Sequence, residues 1–175
     1  LCSIILYIRT LKPIENEIPT SNLKFPFNII FRTLPKPYES KPTPSHSDTL
    51  AYGRYLSTIG GCQFCHTPRE RGRAVPGKEF TGGHGFPLPF GLVRSVNITP
   101  DEETGIGAWS MQDFIDRFKS YEIEVLRKMP VAEAEFNTVM PWTMFSGMTS
   151  QDLTAIYKYL RTVKPLDNSV EKFVK

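Results

Sequence analysis

The sequence predicts an all-α fold with few helices and long loops. Three observations predict it: three amphipathic segments that each begin at a capping residue, stretches rich in glycine and proline between them, and no convincing run of paired strands. The 175 residues are 40% hydrophobic and 12% aromatic, enough for one packed domain with some chain to spare, which excludes a disordered tail or a fibrous repeat. Gly 12 and Pro 15 make about 15% of the chain, above the usual share of roughly 12%, so the connections are long. Lys+Arg 21 against Asp+Glu 18 leaves a formal charge of +3, too mild and too evenly spread to indicate nucleic acid.

The only apolar run near either end is Leu1 to Ile8, far short of the roughly 20 residues that span a bilayer. With no initiating Met, no charged leader and no small-residue cleavage site, the chain reads as a piece of a longer precursor. Its beginning also repeats its end. Leu1 to Asn16 aligns without gaps on Leu153 to Asn168, about half of the pairs being identical, and in both copies a helical pattern runs into Lys-Pro, where proline stops the helix. Residues 1–19 are therefore expected to be the last helix of a preceding unit, with a period of roughly 150 residues. Cys2 falls in that helix stripe and is expected to be buried rather than reactive.

Residues 20–46 hold Phe25-Pro26-Phe27, Leu34-Pro35-Lys36-Pro37 and Lys41-Pro42-Thr43-Pro44, a proline density that predicts a stiff, non-helical connector. Its apolar start, Phe25 to Phe31, is expected to pack on a neighbouring unit, with a membrane surface as the alternative. The unit proper spans 47–165, and 166–175 reads as a tail. Ser47 or Asp48 caps a first helix whose Tyr52, Tyr55, Leu56 and Ile59 share one face and which ends at Gly60-Gly61. Ser110 with Asp113 opens a second, with Phe114, Ile115 and Phe118 inward; Thr149 with Asp152 opens a third, with Leu153, Ile156, Tyr157 and Leu160 in one stripe. Loops fill about 67–109 and 129–148.

Directly after the first helix stands Cys62-Gln63-Phe64-Cys65-His66. Two cysteines three residues apart on a helical turn present both sulfurs to one side, at a separation that reaches the two vinyl groups of one haem, and the adjacent histidine is delivered to the iron. A structural zinc site would need two more ligands, and the only other cysteine is the distant Cys2. A redox dithiol would follow a strand in a βαβ context, which Tyr52 to Ile59 does not offer.

An electron-carrying haem needs a second axial ligand. Met140, in Val139-Met140-Pro141-Trp142, is the strongest candidate: proline fixes the backbone there, an aromatic can wall the haem pocket, and a thioether raises the potential. Met129 also precedes proline, while Met144 and Met148, nearer the last helix, read as core fillers. His84, in Gly82-Gly83-His84-Gly85, and His46, in the connector, read as exposed. Ser95 to Asp101, with Asn97, and the indole of Trp109 are candidates for the haem propionates or the pocket wall; a turn and a helix cap explain them equally well. Asn97-Ile98-Thr99 also fits a glycosylation acceptor. Arg69, Arg71 and Arg73 could steer a partner, although a solvated loop face is the simpler reading.

These residues resemble the multi-haem cytochrome c subunits of bacterial membrane-bound alcohol, aldehyde and gluconate dehydrogenases and related dihaem cytochromes. The resemblance rests on Gly61 to Pro68, on Pro89-Phe90-Gly91 leading to Ser95-Val96-Asn97-Ile98-Thr99-Pro100-Asp101, on Thr104 to Ser110, on Met140-Pro141-Trp142, and on Met148 to Leu153. Phe25 to Ile29 is similar to the segment that joins haem domains there. The resemblance implies a class I cytochrome c fold around one covalently bound haem, attached at Cys62 and Cys65, with His66 and Met140 as axial ligands. It implies that the first and last helices cross at a small residue, a role Gly53 can fill.

The function expected is electron transfer by iron cycling between ferrous and ferric, relaying electrons from a periplasmic or membrane-bound dehydrogenase to a cytochrome or oxidase of the respiratory chain. No catalytic group stands out, so the chain is expected to be a carrier and not an enzyme. The rival reading is a peroxidase-like haem enzyme with a displaceable sixth ligand; a haem-free docking unit is a third. Attachment of haem c places the protein outside the cytoplasm.

Overall fold

The computed structural model describes residues 2–34, 42–89, 91–122, 124 and 139–175, and the chain forms two compact units, Leu1–Lys41 and Pro42–Lys175. The first holds α1 (Cys2–Thr10) and α2 (Phe27–Thr33), neither of which buries a residue. The helix α2 corrects the expectation that proline prevents a helix in the connector. Pro26 stands at its N-cap, outside the interior positions where a missing N–H would break the ladder. Phe25, Phe27, Ile29, Ile30 and Phe31 are all exposed, and so is Cys2. Among the described residues no helix is long and apolar enough to cross a membrane.

In the second unit α3 (Thr49–Ile59) starts where Asp48 accepts the amide of Ala51 at 3.0 Å and is followed across Gly60-Gly61 by the single turn α4 (Cys62–Cys65). Next come the short strands β1 (Arg69–Glu70) and β2 (Arg73–Ala74), then β3 (Gly85–Leu88) and β4 (Gly91–Arg94), then α5 (Met111–Lys119) with a 3-10 turn at Ser120–Glu122. The chain ends with α6 (Trp142–Phe145), α7 (Ser150–Leu160) and β5 (Phe173–Val174). Both α5 and α7 open with complete capping boxes. Ser110 and Thr149 accept the amides of Asp113 and Asp152, whose carboxylates accept the cap amides in return. Each box satisfies two donors that would otherwise be orphaned.

The core gathers Leu153, Ala155, Ile156 and Leu160 of α7 against Tyr52 and Leu56 of α3 and Phe114, Ile115 and Phe118 of α5. Burying a large apolar side chain of this kind contributes about 1.5–3 kcal/mol. Helices α3 and α7 cross at Gly53, where a Cβ would stand 2.0 Å from the carbonyl oxygen of Ala155, so the small residue expected at the crossing is in place. Ile59, one turn beyond Leu56, has left the core and is exposed.

The strands correct the expectation of none. β1 pairs with β2, and β3, β4 and β5 form an antiparallel sheet with Leu92 opposite Val174 and Val93 opposite Phe173. At two to four residues each they are too short to show the alternation that marks a strand in sequence. Residues 166–175 are accordingly no loose tail: β5 completes the sheet, and the amide of Arg94 donates to the carbonyl of Lys172 at 2.8 Å.

Candidate haem attachment site

The α3 helix stops at Gly60, Gly61 takes a left-handed φ of 71°, and the backbone re-enters a helix at once as α4. Both thiols therefore sit on one turn, as free, partly buried cysteines. Burial pushes the Cys62 thiol up from its ordinary pKa, keeping it protonated at neutral pH. His66 closes the turn with its amide donating to the carbonyl of Cys62 at 2.8 Å.

The His66 ring is buried, and its Nδ1 lies 2.7 Å from the carbonyl oxygen of Val96. A carbonyl can only accept, so Nδ1 carries the proton. Burial lowers the histidine's pKa, a shift the Val96 carbonyl partly offsets, so the ring is neutral and the Nε2 lone pair is free to bind a metal. This is the arrangement that orients a metal-binding histidine and raises its basicity. With two thiols on the same turn, the donor set fits a covalently attached haem with His66 on the iron. Among the described residues no group of three or more His, Cys, Asp or Glu converges, as a structural zinc cage would require.

The Val96 carbonyl is itself held by a ladder between residues 80–84 and 95–98. Ile98 donates to Phe80 at 2.9 Å, Gly83 to Ser95 at 2.8 Å and Ser95 to His84 at 3.0 Å, while Gly82 donates to the carbonyl of His66 at 2.7 Å. Gly82, at φ +78°, is pressed so close that a Cβ would stand 2.4 Å from the carbonyl carbon of Val96. Nothing in the sequence marks a backbone carbonyl as a histidine's partner, and the sequence reading missed both Val96 and Gly82.

Met140 is partly buried against the same apolar core that Cys62 touches, together with Trp142, Phe145 and Met148. Its carbonyl accepts the amide of Trp142 at 2.8 Å, which opens α6. Trp142 itself stacks on Tyr121 at 5.1 Å, with the Arg117 guanidinium 4.9 Å from its ring centre. Met144, expected to fill the core, is 80% exposed, because α6 is a single turn that presents only one side inward. Met148 does pack on the core, and Met129 lies outside the described residues.

Of the two readings given for Asn97, its side-chain contacts describe the turn. Its carboxamide spends both donors, on Thr104 Oγ1 at 2.9 Å and on the carbonyl of Leu166 at 2.8 Å, and its oxygen accepts from the amide and hydroxyl of Thr99 at 2.9 and 2.8 Å. The carboxamide is thus fully engaged within the protein. The indole of Trp109 is partly exposed; its backbone carbonyl accepts the hydroxyl of Tyr157 at 2.7 Å, fixing the entry to α5.

His84 is half-buried rather than exposed, edge-on to Phe64 and Phe86 with centroids 6.1 and 4.7 Å away. Arg69 stacks 4.1 Å over the exposed Phe64 ring, while Arg71, in the turn joining β1 and β2, and Arg73, at the start of β2, are exposed. His46 lies flat on Tyr52 at 4.2 Å.

The helices crossing at Gly53, the paired thiols and the poised His66 define a c-type cytochrome unit, and known proteins place the chain more closely. It is a homologue of the cytochrome c subunits of bacterial dehydrogenases. It is 31% identical over 134 residues to the fructose dehydrogenase cytochrome subunit of Gluconobacter japonicus, covering 75% of this chain and 25% of that protein. It is 32% identical over 126 residues to the cytochrome c subunit of alcohol dehydrogenase (quinone) of Komagataeibacter europaeus, covering 71% and 24%. A diheme cytochrome c-type protein of Cereibacter sphaeroides is 26% identical over 120 residues, covering 68% and 38%. The chain thus spans about a quarter of the length of these two dehydrogenase subunits. No protein-family model matches it.

Proposed function

We propose that this chain is an electron carrier whose haem c is attached through Cys62 and Cys65, with His66 and Met140 as the axial ligands. The observation that carries the reading is the buried, neutral His66, whose Nδ1 donates to Val96 and whose Nε2 is free. Haem bound there would supply one-electron iron chemistry. The chain's own residues do the rest: Cys62 and Cys65 would anchor the ring, His66 would hold the iron on one side, and the Met140 thioether would hold it on the other and favour the ferrous state. With His66 and Met140 both holding the iron, substrate would be kept off the metal, which would separate a carrier from a haem enzyme.

The homologues are named as cytochrome subunits of dehydrogenases, so the partner on the donor side would be a dehydrogenase, with a cytochrome or oxidase of the respiratory chain as acceptor. The site lies outside the cytoplasm in this reading, where haem c is attached. One haem is expected in this chain. Residues 1–19 would belong to a preceding cytochrome unit: Ile4 and Ile8 of α1 are 60% and 57% exposed, whereas Ile156 and Leu160, their counterparts in the repeat, are 5% and 1% exposed against α3. A helix like α3 would cover them.

The test is expression with the haem c maturation machinery, followed by a haem stain after denaturing electrophoresis. The wild-type chain should stain, and the double variant Cys62→Ala/Cys65→Ala should not. Equal staining of both would remove the thiols from the assignment.

A further inference from the structure

The segment after α7 crosses the loops behind His66 and is fastened to them at two asparagines. Asn97 donates to the carbonyl of Leu166 at 2.8 Å, and the amide of Leu166 donates to the Thr99 hydroxyl at 3.3 Å. Asn168 donates its carboxamide to the carbonyl of Thr81 at 2.8 Å and its amide to Thr104 Oγ1 at 2.9 Å. Thr104 in turn receives Asn97 Nδ2 at 2.9 Å and donates to Asp101 Oδ1 at 2.7 Å. The Thr81 carbonyl belongs to the peptide that leads into Gly82, wedged between the His66 backbone and the Val96 carbonyl. Asn97 is the residue after Val96. Asn97 and Asn168 therefore each hold one of the two segments, 95–99 and 80–84, that set the carbonyl facing His66 Nδ1.

A second, independent observation is the internal repeat. Its aligned residues run past the helix and the Lys-Pro stop to Ile14-Glu15-Asn16, opposite Leu166-Asp167-Asn168. The repeated unit thus includes the fastening asparagine and not the helix alone, as it would if the latch were part of each haem-binding unit.

We propose that Asn97 and Asn168 are positioning residues for the iron ligand: they latch residues 166–168 onto the 80–84 and 95–99 segments and so fix the His66–Val96 hydrogen bond. The proposal rests on the reading of His66 as the ligand. Loosening the latch lengthens that bond, leaves the imidazole less basic and stabilises ferrous over ferric iron.

The test compares Asn97→Ala, Asn168→Ala and the near-isosteric Asn168→Asp with Ser110→Ala, which removes the N-cap of α5 and touches none of the latch hydrogen bonds. Two quantities are read in the chain expressed with the maturation machinery: the midpoint potential, and the exchange rate of the His66 Nδ1 proton with water by NMR. The latch variants should shift the potential upward and speed the exchange by about tenfold, the factor that corresponds to losing roughly one hydrogen bond. Ser110→Ala should lower the melting temperature and move neither. Latch variants that lower the melting temperature while leaving potential and exchange rate at wild-type values would overturn the proposal. If the wild-type chain takes up no haem, the ligand reading fails, and the exchange rate, which needs no haem, still decides whether the latch holds the His66–Val96 bond.

Discussion

Tyr52 donates its hydroxyl to Asp152 at 2.9 Å, so the carboxylate that caps α7 also receives a hydrogen bond from α3. The pair couples the start of the last helix to the helix that leads into the cysteine turn.

Burial pushes the Asp152 carboxyl up, but the hydroxyls of Thr149 and Tyr52 outweigh it and hold the group below its ordinary pKa. A carboxylate depressed in the folded state contributes stability above its unfolded pKa, about 3.9, and loses that contribution as pH falls through the folded value. Tyr52→Phe should therefore destabilise the unit by about 1 kcal/mol at pH 7, a difference that shrinks as pH falls below the ordinary carboxylate range and Asp152 becomes protonated. Urea unfolding at several pH values checks it; a constant difference across the range would contradict the coupling.

The Gly53 crossing leaves no room for a methyl group, and the obstructing atom is the Ala155 carbonyl oxygen. Gly53→Ala should cost about 3 kcal/mol or more, since overpacking against backbone cannot be relieved by a rotamer change. Adding Ala155→Gly should not restore the loss. An unchanged urea midpoint in the single variant would show that the helices cross elsewhere.

Gly82→Ala would force a side chain into the Val96 carbonyl at a left-handed φ, where L residues are strained. The expected result is a lower yield of covalent haem per chain, read from the ratio of haem absorbance to protein. A full complement of haem at wild-type stability would show that the ladder behind His66 yields easily.

Met140→Ala should lower the midpoint potential and open a position for carbon monoxide, seen as a new Soret band on adding the gas to the reduced protein. If the spectrum and potential stay as in the wild type, Met140 leaves the ligand set, and the core-packed Met148 becomes the next residue to substitute.

The helices of the second unit were legible in the sequence because their signals are local. Ser110 with Asp113 and Thr149 with Asp152 mark helix starts by spacing alone, and the stripes at Tyr52 and Leu56 or at Leu153, Ile156 and Leu160 follow the helical period. Cys62, Cys65 and His66 were legible for the same reason. The ladder behind His66 was not, because it is made of carbonyls and amides that every residue carries. Asn97 shows the limit most clearly: its type suggested a polar partner, and only the fold reveals that the partners are Thr99, Thr104 and Leu166. The repeat of Asn16 as Asn168 is visible in the sequence, but nothing there tells what an asparagine at that place holds.

The central claim, haem c on Cys62 and Cys65 with His66 at the iron, is tested most directly by the absorption spectrum of the reduced protein in alkaline pyridine after expression with the maturation machinery. The account predicts the band of a haem joined through two thioethers, at one haem per chain. A folded chain without that band would contradict it.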